Sequence, residues 1–244
     1  MNVVQTSRSP GTVHPEAMPS SHLSVLFALT LLAGSGSASA TGTDEVDLEN
    51  GADINETCAG CHGEFGQGGK QGEYPRLAGM PAAFIAHQLH LFRDRKRPNL
   101  AMIEYVDERQ MPDEDIRDIS AYLERMEVPR RMPDMPADAT ALARLQAAAR
   151  VLNIPRAEGD AEAGRRLYNR ECGSCHGADG LGDREQAVPP LVGQYTNYLQ
   201  RQVEKYLKRI RIHDESDPDY ELLADFTADE LRDIFAYLSV ADNQ

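Results

Sequence analysis

The sequence predicts an all-α protein in which two similar domains are joined by a helical linker. Three observations lead to this fold class. A five-residue cysteine motif recurs 114 positions later in the chain. Apolar residues follow helical spacing around each motif, and no segment of any length alternates as a strand would. The length of 244 residues suits two small domains.

The second half of the chain repeats the first well beyond the motif. The stretch ECGSCHG at 171–177 corresponds to TCAGCHG at 57–63. The other matching residues are Pro75 with Pro189, Leu77 with Leu191, Gly79 with Gly193, Gln88 with Gln202, and Tyr122 with Tyr237. We therefore assign residues 44–127 to the first domain, 128–158 to the linker and 159–244 to the second domain.

Each domain is predicted to be built from three short helices. The second domain opens with an amphipathic segment, 159–172, that runs into its cysteine motif. In the last helix of each domain, a turn or capping residue and early acids precede an apolar stripe, which is typical of a helix start. The predicted middle helices cover 82–92 and 197–207, and the predicted last helices cover 112–123 and 227–238.

The linker is predicted to hold one further helix. Its sequence is rich in proline at both ends, and its centre, 139–152, is rich in alanine. We expect this helix to pack against one or both domains. Each domain has only roughly 80 residues and a thin apolar core, and domains of that size usually need an additional staple.

The N-terminal residues 1–40 are predicted to be a signal peptide. The apolar run 23–32 is too short to span a bilayer, and small residues ending in Ala38, Ser39 and Ala40 follow it. An uncleaved membrane anchor is the alternative interpretation. Cleavage after Ala40 would deliver the mature protein to the periplasm, where cysteines can be oxidised.

The net charge of −14 excludes one class of function. The phosphates of nucleic acid would repel so acidic a chain, so we predict no binding to DNA or RNA. Charge of this size fits a protein that recognises its partners by charge complementarity.

All four cysteines of the chain lie in the two motifs, and a histidine directly follows each pair. The cysteines are Cys58, Cys61, Cys172 and Cys175, and the histidines are His62 and His176. Two disulfides would each close a tiny loop and stabilise the fold little. A thioredoxin-like pair would need a strand before a helix, and a zinc site would not explain the histidine after both pairs.

The pattern C-x-x-C-H is the attachment site of c-type haem. The two thiols form thioethers with the haem vinyl groups, and the adjacent histidine becomes the proximal ligand of the iron. We therefore predict two covalently bound haem c groups, one in each domain. A haem at the centre of each domain also supplies the missing core.

At these residues the sequence resembles the di-haem class I cytochromes c with tandem domains, the cytochrome c-four family. The resemblance is carried by CAGCHG and ECGSCHG, by YPRLAG and VPPLVGQ, and by the two AYL helices. It implies two helical haem domains that face each other, a periplasmic location and electron transfer to or from a respiratory partner. It also implies that the carbonyl of Pro75 orients His62 and that the carbonyl of Pro189 orients His176.

The resemblance also suggests the sixth iron ligand of the first haem. The family places a methionine in the loop between the middle and last helices, which favours Met102. Met80 comes too early, at the entry of the middle helix. Met111 aligns with Phe226 of the repeat and is interpreted as an apolar staple.

The second domain contains no methionine, which departs from the family pattern. His213 is the strong nitrogen ligand in the corresponding loop, so we predict coordination of the second iron by His176 and His213. The alternatives are a five-coordinate iron, a bound water, Tyr220, or a methionine of the linker. An imidazole in place of a thioether favours ferric iron and would give the second haem the lower potential.

Two weaker features remain open at this point. The basic residues Arg93, Arg95, Lys96 and Arg97 and their counterparts Lys205, Lys208, Arg209 and Arg211 either pair with haem propionates or form a solvated face. The two histidines of the middle helix, His87 and His90, are interpreted as exposed polar residues.

We predict a periplasmic electron shuttle, not an enzyme, that docks transiently with redox proteins of a respiratory chain. Any association with a membrane would come through a partner or an uncleaved signal peptide. The alternative is a haem oxidoreductase, for example one that acts on a sulfur compound, with the second haem as its active site.

Overall fold

The computed structural model describes residues 45–213 and 222–241. The predicted signal peptide and Tyr220 lie outside these residues. The described chain is helical, with two isolated β-bridges and no longer strand. The helices are α1 (Leu48–His62), α2 (Ala82–Arg93), α3 (Leu100–Ile103), α4 (Asp113–Arg125), α5 (Ala141–Ala149), α6 (Ala161–Glu171), α7 (Gly173–His176), α8 (Thr196–Leu207) and α9 (Ala228–Val240), with short 3₁₀ turns at Lys70–Gly72 and Leu222–Asp225.

The predicted helices are confirmed, with ends that differ by at most three residues. The sequence did not indicate the short helix α3. The predicted segment 159–172 proves to end at Glu171, and the second cysteine motif continues in a separate turn, α7. In the first domain, by contrast, α1 runs without a break through its motif to His62.

In each domain the first helix crosses the last one, α1 on α4 and α6 on α9. A glycine marks each crossing because the partner backbone comes too close for a side chain. A Cβ atom added at Gly51 would lie 2.5 Å from the Asp118 carbonyl oxygen, and one added at Gly164 would overlap the Asp233 backbone. Two capping aspartates then fix the crossings from outside. The Asp47 N–H donates to the Asp118 carboxylate at 3.1 Å.

The second crossing is fixed in the same way. The Asp160 N–H donates to the Asp233 carboxylate at 2.9 Å, and the Asp160 side chain caps α6. The last helix α9 also begins with a capping box formed by Thr227 and Glu230. These matching contacts place the two cysteine motifs at equivalent positions in the two domains.

The linker helix α5 was expected to pack against the domains, and that expectation is wrong for the helix itself. None of its residues is buried, and Leu142 and Leu145 are 65% and 68% exposed. The chain after α5 makes the contacts instead. Leu152 is buried, and the Arg150 guanidinium lies 4.8 Å from the centre of the Phe65 ring in the first domain.

Within the described residues, no helix combines the length and the apolar character that crossing a membrane requires.

Candidate functional site

Among the described residues, no disulfide joins the cysteines of either motif. Cys58 and Cys172 are partly buried, whereas Cys61 and Cys175 are exposed. Burial raises the pKa of the Cys58 thiol and raises the pKa of Cys172 to about 11. Within the described residues, no group of three or more His, Cys, Asp or Glu side chains converges as a metal site.

The two motif histidines are oriented by the prolines that the resemblance implied. His62 Nδ1 lies 2.9 Å from the Pro75 carbonyl oxygen, and His176 Nδ1 lies 3.0 Å from the Pro189 carbonyl oxygen. A ring that donates through Nδ1 keeps its Nε2 lone pair for a metal. Burial lowers the pKa of both histidines, which favours the neutral imidazole that ligates metals.

The loop between each histidine and its proline has one architecture in both domains. The Gly68 N–H donates to the His62 carbonyl at 2.7 Å, and the Gly182 N–H donates to the His176 carbonyl at 2.9 Å. Both glycines have positive φ and lie against the peptide after the orienting proline. A Cβ atom at Gly68 would stand 2.8 Å from the carbonyl carbon of Pro75. A side chain there would push the histidine's acceptor out of place.

The structure distinguishes among the three methionines considered for the first iron. Met80 and Met111 are buried in separate apolar clusters of the first domain, with 4% and 8% of their surface exposed. Met102 lies on the short helix α3 and is only partly buried against the cluster that contains Phe92 and Met111. Met80 and Met111 thus have packing roles of their own, and Met102 is the least enclosed of the three.

In the second domain the structure brings the two predicted ligand histidines together. The ring centres of His176 and His213 are 6.1 Å apart, with an angle of 54° between the ring planes. Because an imidazole nitrogen lies about 2 Å from a bound metal and about 1 Å from its own ring centre, two imidazoles on opposite sides of one metal have centres about 6 Å apart. The observed spacing therefore fits a shared iron. The edge-to-face contact of His213 with Tyr206, at 5.2 Å, supports its position.

The interface between the domains buries two arginines that correspond in the repeat. Arg97 and Arg211 are 8% and 7% exposed, and both donate to the side-chain oxygens of Gln88 and Gln202 at 2.8–3.2 Å. Arg97 also donates to the Tyr198 hydroxyl at 2.9 Å. Among the described residues, neither guanidinium pairs with a carboxylate. The buried Arg97 Nε has no hydrogen-bond partner there.

Two like charges buried side by side require a negative counter-charge. Haem propionates are carboxylates of the kind that arginine binds through two parallel hydrogen bonds, so this cluster fits a haem edge. The other basic residues named above behave differently. Arg93 pairs with Asp113 at 2.6 Å, while Arg95, Lys96, Lys208 and Arg209 are exposed.

Sequence reasoning missed the polar residues that join the two domains. Gln88 and Gln202 were recognised as a repeated pair, but nothing in their spacing indicated that both would be shared by two arginines. Gln194 exchanges two hydrogen bonds with the Arg76 backbone of the first domain. It occupies the position where the first domain has Met80, and the sequence analysis did not single it out. A buried amide at a position that is apolar in the other copy is the feature that could have indicated it.

Comparison with known proteins gives matches over both domains. The family model of cytochrome c matches residues 48–127 and 161–241. A thiosulfate dehydrogenase electron acceptor from Stutzerimonas stutzeri is 31% identical over 185 residues, which is 75% of this chain and 77% of the relative. A cytochrome c4 from Pseudomonas aeruginosa is 28% identical over 159 residues, or 64% of this chain and 69% of the relative.

A solved structure extends the similarity to three dimensions. Thiosulfate dehydrogenase from Marichromatium purpuratum matches with a TM-score of 0.59 and 28% sequence identity. The match covers 79% of this chain but 40% of that one, so this protein corresponds to less than half of the longer polypeptide.

Proposed function

Because this chain belongs to the cytochrome c family, we propose that it carries electrons between redox proteins of a respiratory chain in the periplasm. The protein has two tandem cytochrome c domains and binds two haem c groups covalently. In this proposal the thiols of each motif hold one haem. The haem iron supplies the change of redox state when bound, and the protein supplies attachment, axial ligands and a shell that excludes water.

The proposal assigns different axial ligands to the two irons. His62 and Met102 would hold the first iron, and His176 and His213 would hold the second. A thioether ligand raises the potential of a haem relative to an imidazole. The second haem would then have the lower potential, so that electron transfer from the second domain to the first would be favourable.

The distance between His176 and His213 is the observation that carries the choice of a carrier over an enzyme. With His176 and His213 both holding the iron, no position would remain for a substrate, whereas electron exchange would need none. An oxidoreductase would keep one position open. The ring spacing of 6.1 Å favours the closed site.

Arg97 and Arg211 are proposed to bind propionates of the two haems at the interface. Their burial among neutral partners, and the buried Arg97 Nε without a described partner, support an anion in this position. Binding both haem edges in one cluster of hydrogen bonds would keep the two redox centres close together, which rapid internal electron transfer requires.

The names of the relatives suggest a donor for this carrier. Two of the similar proteins are thiosulfate dehydrogenase electron acceptors. We infer that an enzyme oxidising an inorganic sulfur compound is a redox partner of this protein. The alternative, that the second haem itself oxidises the sulfur compound, draws support from the similarity to thiosulfate dehydrogenase, but it requires an iron without His213.

An optical and potentiometric titration of the purified holoprotein separates the two functions. We expect two six-coordinate, low-spin haems with distinct potentials. In His213→Ala, one haem becomes high-spin and binds carbon monoxide, while the other keeps its spectrum and potential. The control is His90→Ala, which removes a half-exposed histidine from α2 and should change neither haem.

A high-spin haem in the unaltered protein that binds cyanide readily would contradict the carrier function and favour the oxidoreductase. An unaltered spectrum in His213→Ala would leave the second iron with a different sixth ligand. Mass spectrometry of the mature chain tests the premise, because two covalent haems must appear in its mass.

A further inference from the structure

The peptide group between Pro75 and Arg76 is hydrogen-bonded at both of its polar atoms. Its carbonyl oxygen lies 2.9 Å from His62 Nδ1. Its N–H donates to Gln194 Oε1 at 3.0 Å, and Gln194 Nε2 donates back to the Arg76 carbonyl at 3.0 Å. Gln194 belongs to the second domain, so one side chain of that domain binds the peptide that orients the histidine of the first.

The Gln194 amide has only one orientation that satisfies its neighbours. Its oxygen accepts from the N–H groups of Arg76 and Tyr195, at 3.0 and 3.1 Å, and its nitrogen donates to a carbonyl. A flipped amide would bring N–H groups against N–H groups. Because Gln194 is 3% exposed, water does not replace these bonds.

The second domain has no equivalent of this contact. The Pro189 carbonyl accepts from His176 at 3.0 Å, but the next residue is Pro190, whose nitrogen has no hydrogen to donate. The residue of the first domain that corresponds to Gln194 is Met80, which lies in an apolar cluster. The connection therefore runs in one direction only, from the second domain to the first histidine.

Hydrogen bonds that share a peptide group polarise one another. An N–H that donates to Gln194 makes the Pro75 carbonyl a stronger acceptor for the His62 ring. A more strongly bound ring N–H makes the imidazole a better electron donor to a metal, which favours the oxidised metal. Packing keeps the peptide in place, because Gly68 lies directly against it.

We propose that Gln194 is a positioning residue for the first haem, acting across the domain interface through the Pro75–Arg76 peptide and His62. It lowers the potential of that haem and leaves the second unchanged. The proposal rests on the proposed function in one respect, namely that His62 is an axial ligand. It makes the potential of one domain depend on its contact with the other.

The test compares the holoprotein with Gln194→Met, which places the Met80 side chain of the repeat at this position. We expect the potential of the first haem to rise, so that the electron equilibrium between the two haems shifts by up to about tenfold. In the reduced protein, the NMR signal of the His62 ring N–H should move upfield as its hydrogen bond weakens. The His176 signal should stay unchanged.

Two further variants separate this effect from a loosened interface. Asn197→Ala removes another cross-domain hydrogen bond, 3.2 Å to the Gln71 carbonyl, and should move neither potential. If Gln194→Met yields no folded holoprotein, Gln194→Asn keeps the amide but withdraws it by one methylene, and the same shift is expected.

The outcomes are distinct. Unchanged potential and unchanged His62 signal in a folded Gln194 variant would overturn the proposal while leaving His62 a ligand. Equal shifts of both haems would also overturn it, because a loosened interface acts on both. If the first haem of the unaltered protein lacked histidine ligation, the proposed function itself would fail, and the NMR spectrum would show this directly.

Discussion

The two domains have similar loops between the motif histidine and its proline, but they differ in the aromatic residues of their middle helices. In both motif loops the same glycine N–H donates to the histidine carbonyl, and each histidine ring lies at hydrogen-bond distance from the carbonyl of its proline. On the middle helices, Phe84 and Phe92 of the first domain correspond to Tyr198 and Tyr206 of the second. Both domains thus keep the loop that orients the motif histidine. They differ in aromatic side chains at the interface, such as Tyr198, and beside His213, such as Tyr206.

The exchange of phenylalanine for tyrosine keeps the packing and adds polar groups. The Arg97 guanidinium lies 4.5 Å from the centre of the Phe92 ring, and Arg211 lies 4.9 Å from that of Tyr206. The Tyr198 hydroxyl, absent from Phe84, accepts from Arg97 across the interface. The second domain therefore has a polar partner for Arg97 at a position where the first domain has only an apolar ring.

The largest expected effect comes from exchanging the distal ligands. Met102→His would give the first haem the ligand set proposed for the second. Its potential should fall by an amount on the order of 0.1 V, within the ~0.8 V over which axial ligands set haem potentials. Potentiometric titration should then find the two haems nearly equal.

Met80→Leu provides the control for this exchange, because it conserves volume in a buried cluster. We expect both potentials to stay where they are. A fall in potential with Met80→Leu, or none with Met102→His, would assign the first sixth ligand to a different side chain.

The repeated helices could be predicted because the residues that specify each helix lie within the helix itself. Apolar spacing and early acids mark the last helix α4 over Asp113–Arg125, and the structure confirms it within two residues. The motif histidines and their prolines could also be placed, because the resemblance fixes both. Neither prediction depended on how the two domains contact each other.

The features that the sequence did not predict include contacts between residues that are far apart in the chain. Apolar spacing indicated neither the break before α7 at Cys172 nor the exposure of Leu142 and Leu145 on α5. Gln194 binds a peptide 118 positions earlier in the chain. Its contact could be found only once the two domains were placed together.

The helices at the crossing approach each other more closely in the second domain than in the first. Gly164→Ala should lower the free energy of unfolding of the second domain by about 2–3 kcal/mol, because its Cβ would overlap the Asp233 backbone. Gly51→Ala should cost the first domain less, since its Cβ would stand 2.5 Å from the Asp118 carbonyl oxygen. Denaturant titration followed by helical circular dichroism measures both.

Gly60→Ala is the matched control for the crossings, because no atom lies within 4 Å of its added Cβ and alanine favours the helix. We expect stability to remain the same or rise slightly. Equal losses at Gly60 and Gly164 would mean that backbone flexibility, rather than close approach, sets the cost.

The smallest effect is expected at the carboxylate that fixes the first crossing. Burial alone would raise the pKa of Asp118, but hydrogen bonds from Asn50, Arg117 and the Asp47 N–H hold that pKa below its ordinary value. A depressed pKa stabilises the folded state above the unfolded pKa of about 3.9, and this contribution is lost as the pH falls through the folded pKa. Asp118→Asn should therefore cost about 1 kcal/mol at neutral pH, since the partly exposed Arg117 is screened by solvent.

As the pH falls from about 3.9 through the lower folded pKa of Asp118, the difference between Asp118→Asn and the unaltered protein should shrink, because the Asp118 carboxylate is progressively protonated. Asp233→Asn is the counterpart in the second domain. Among the described residues no guanidinium pairs with Asp233, and the neighbouring Arg232 binds Asp229 at 2.9 Å instead. Asparagine keeps the oxygen that accepts from the Asp160 N–H, so this change should cost less. A pH-independent loss in Asp118→Asn would mean that shape rather than charge fixes the first crossing, and that the two crossings are held by the same physics.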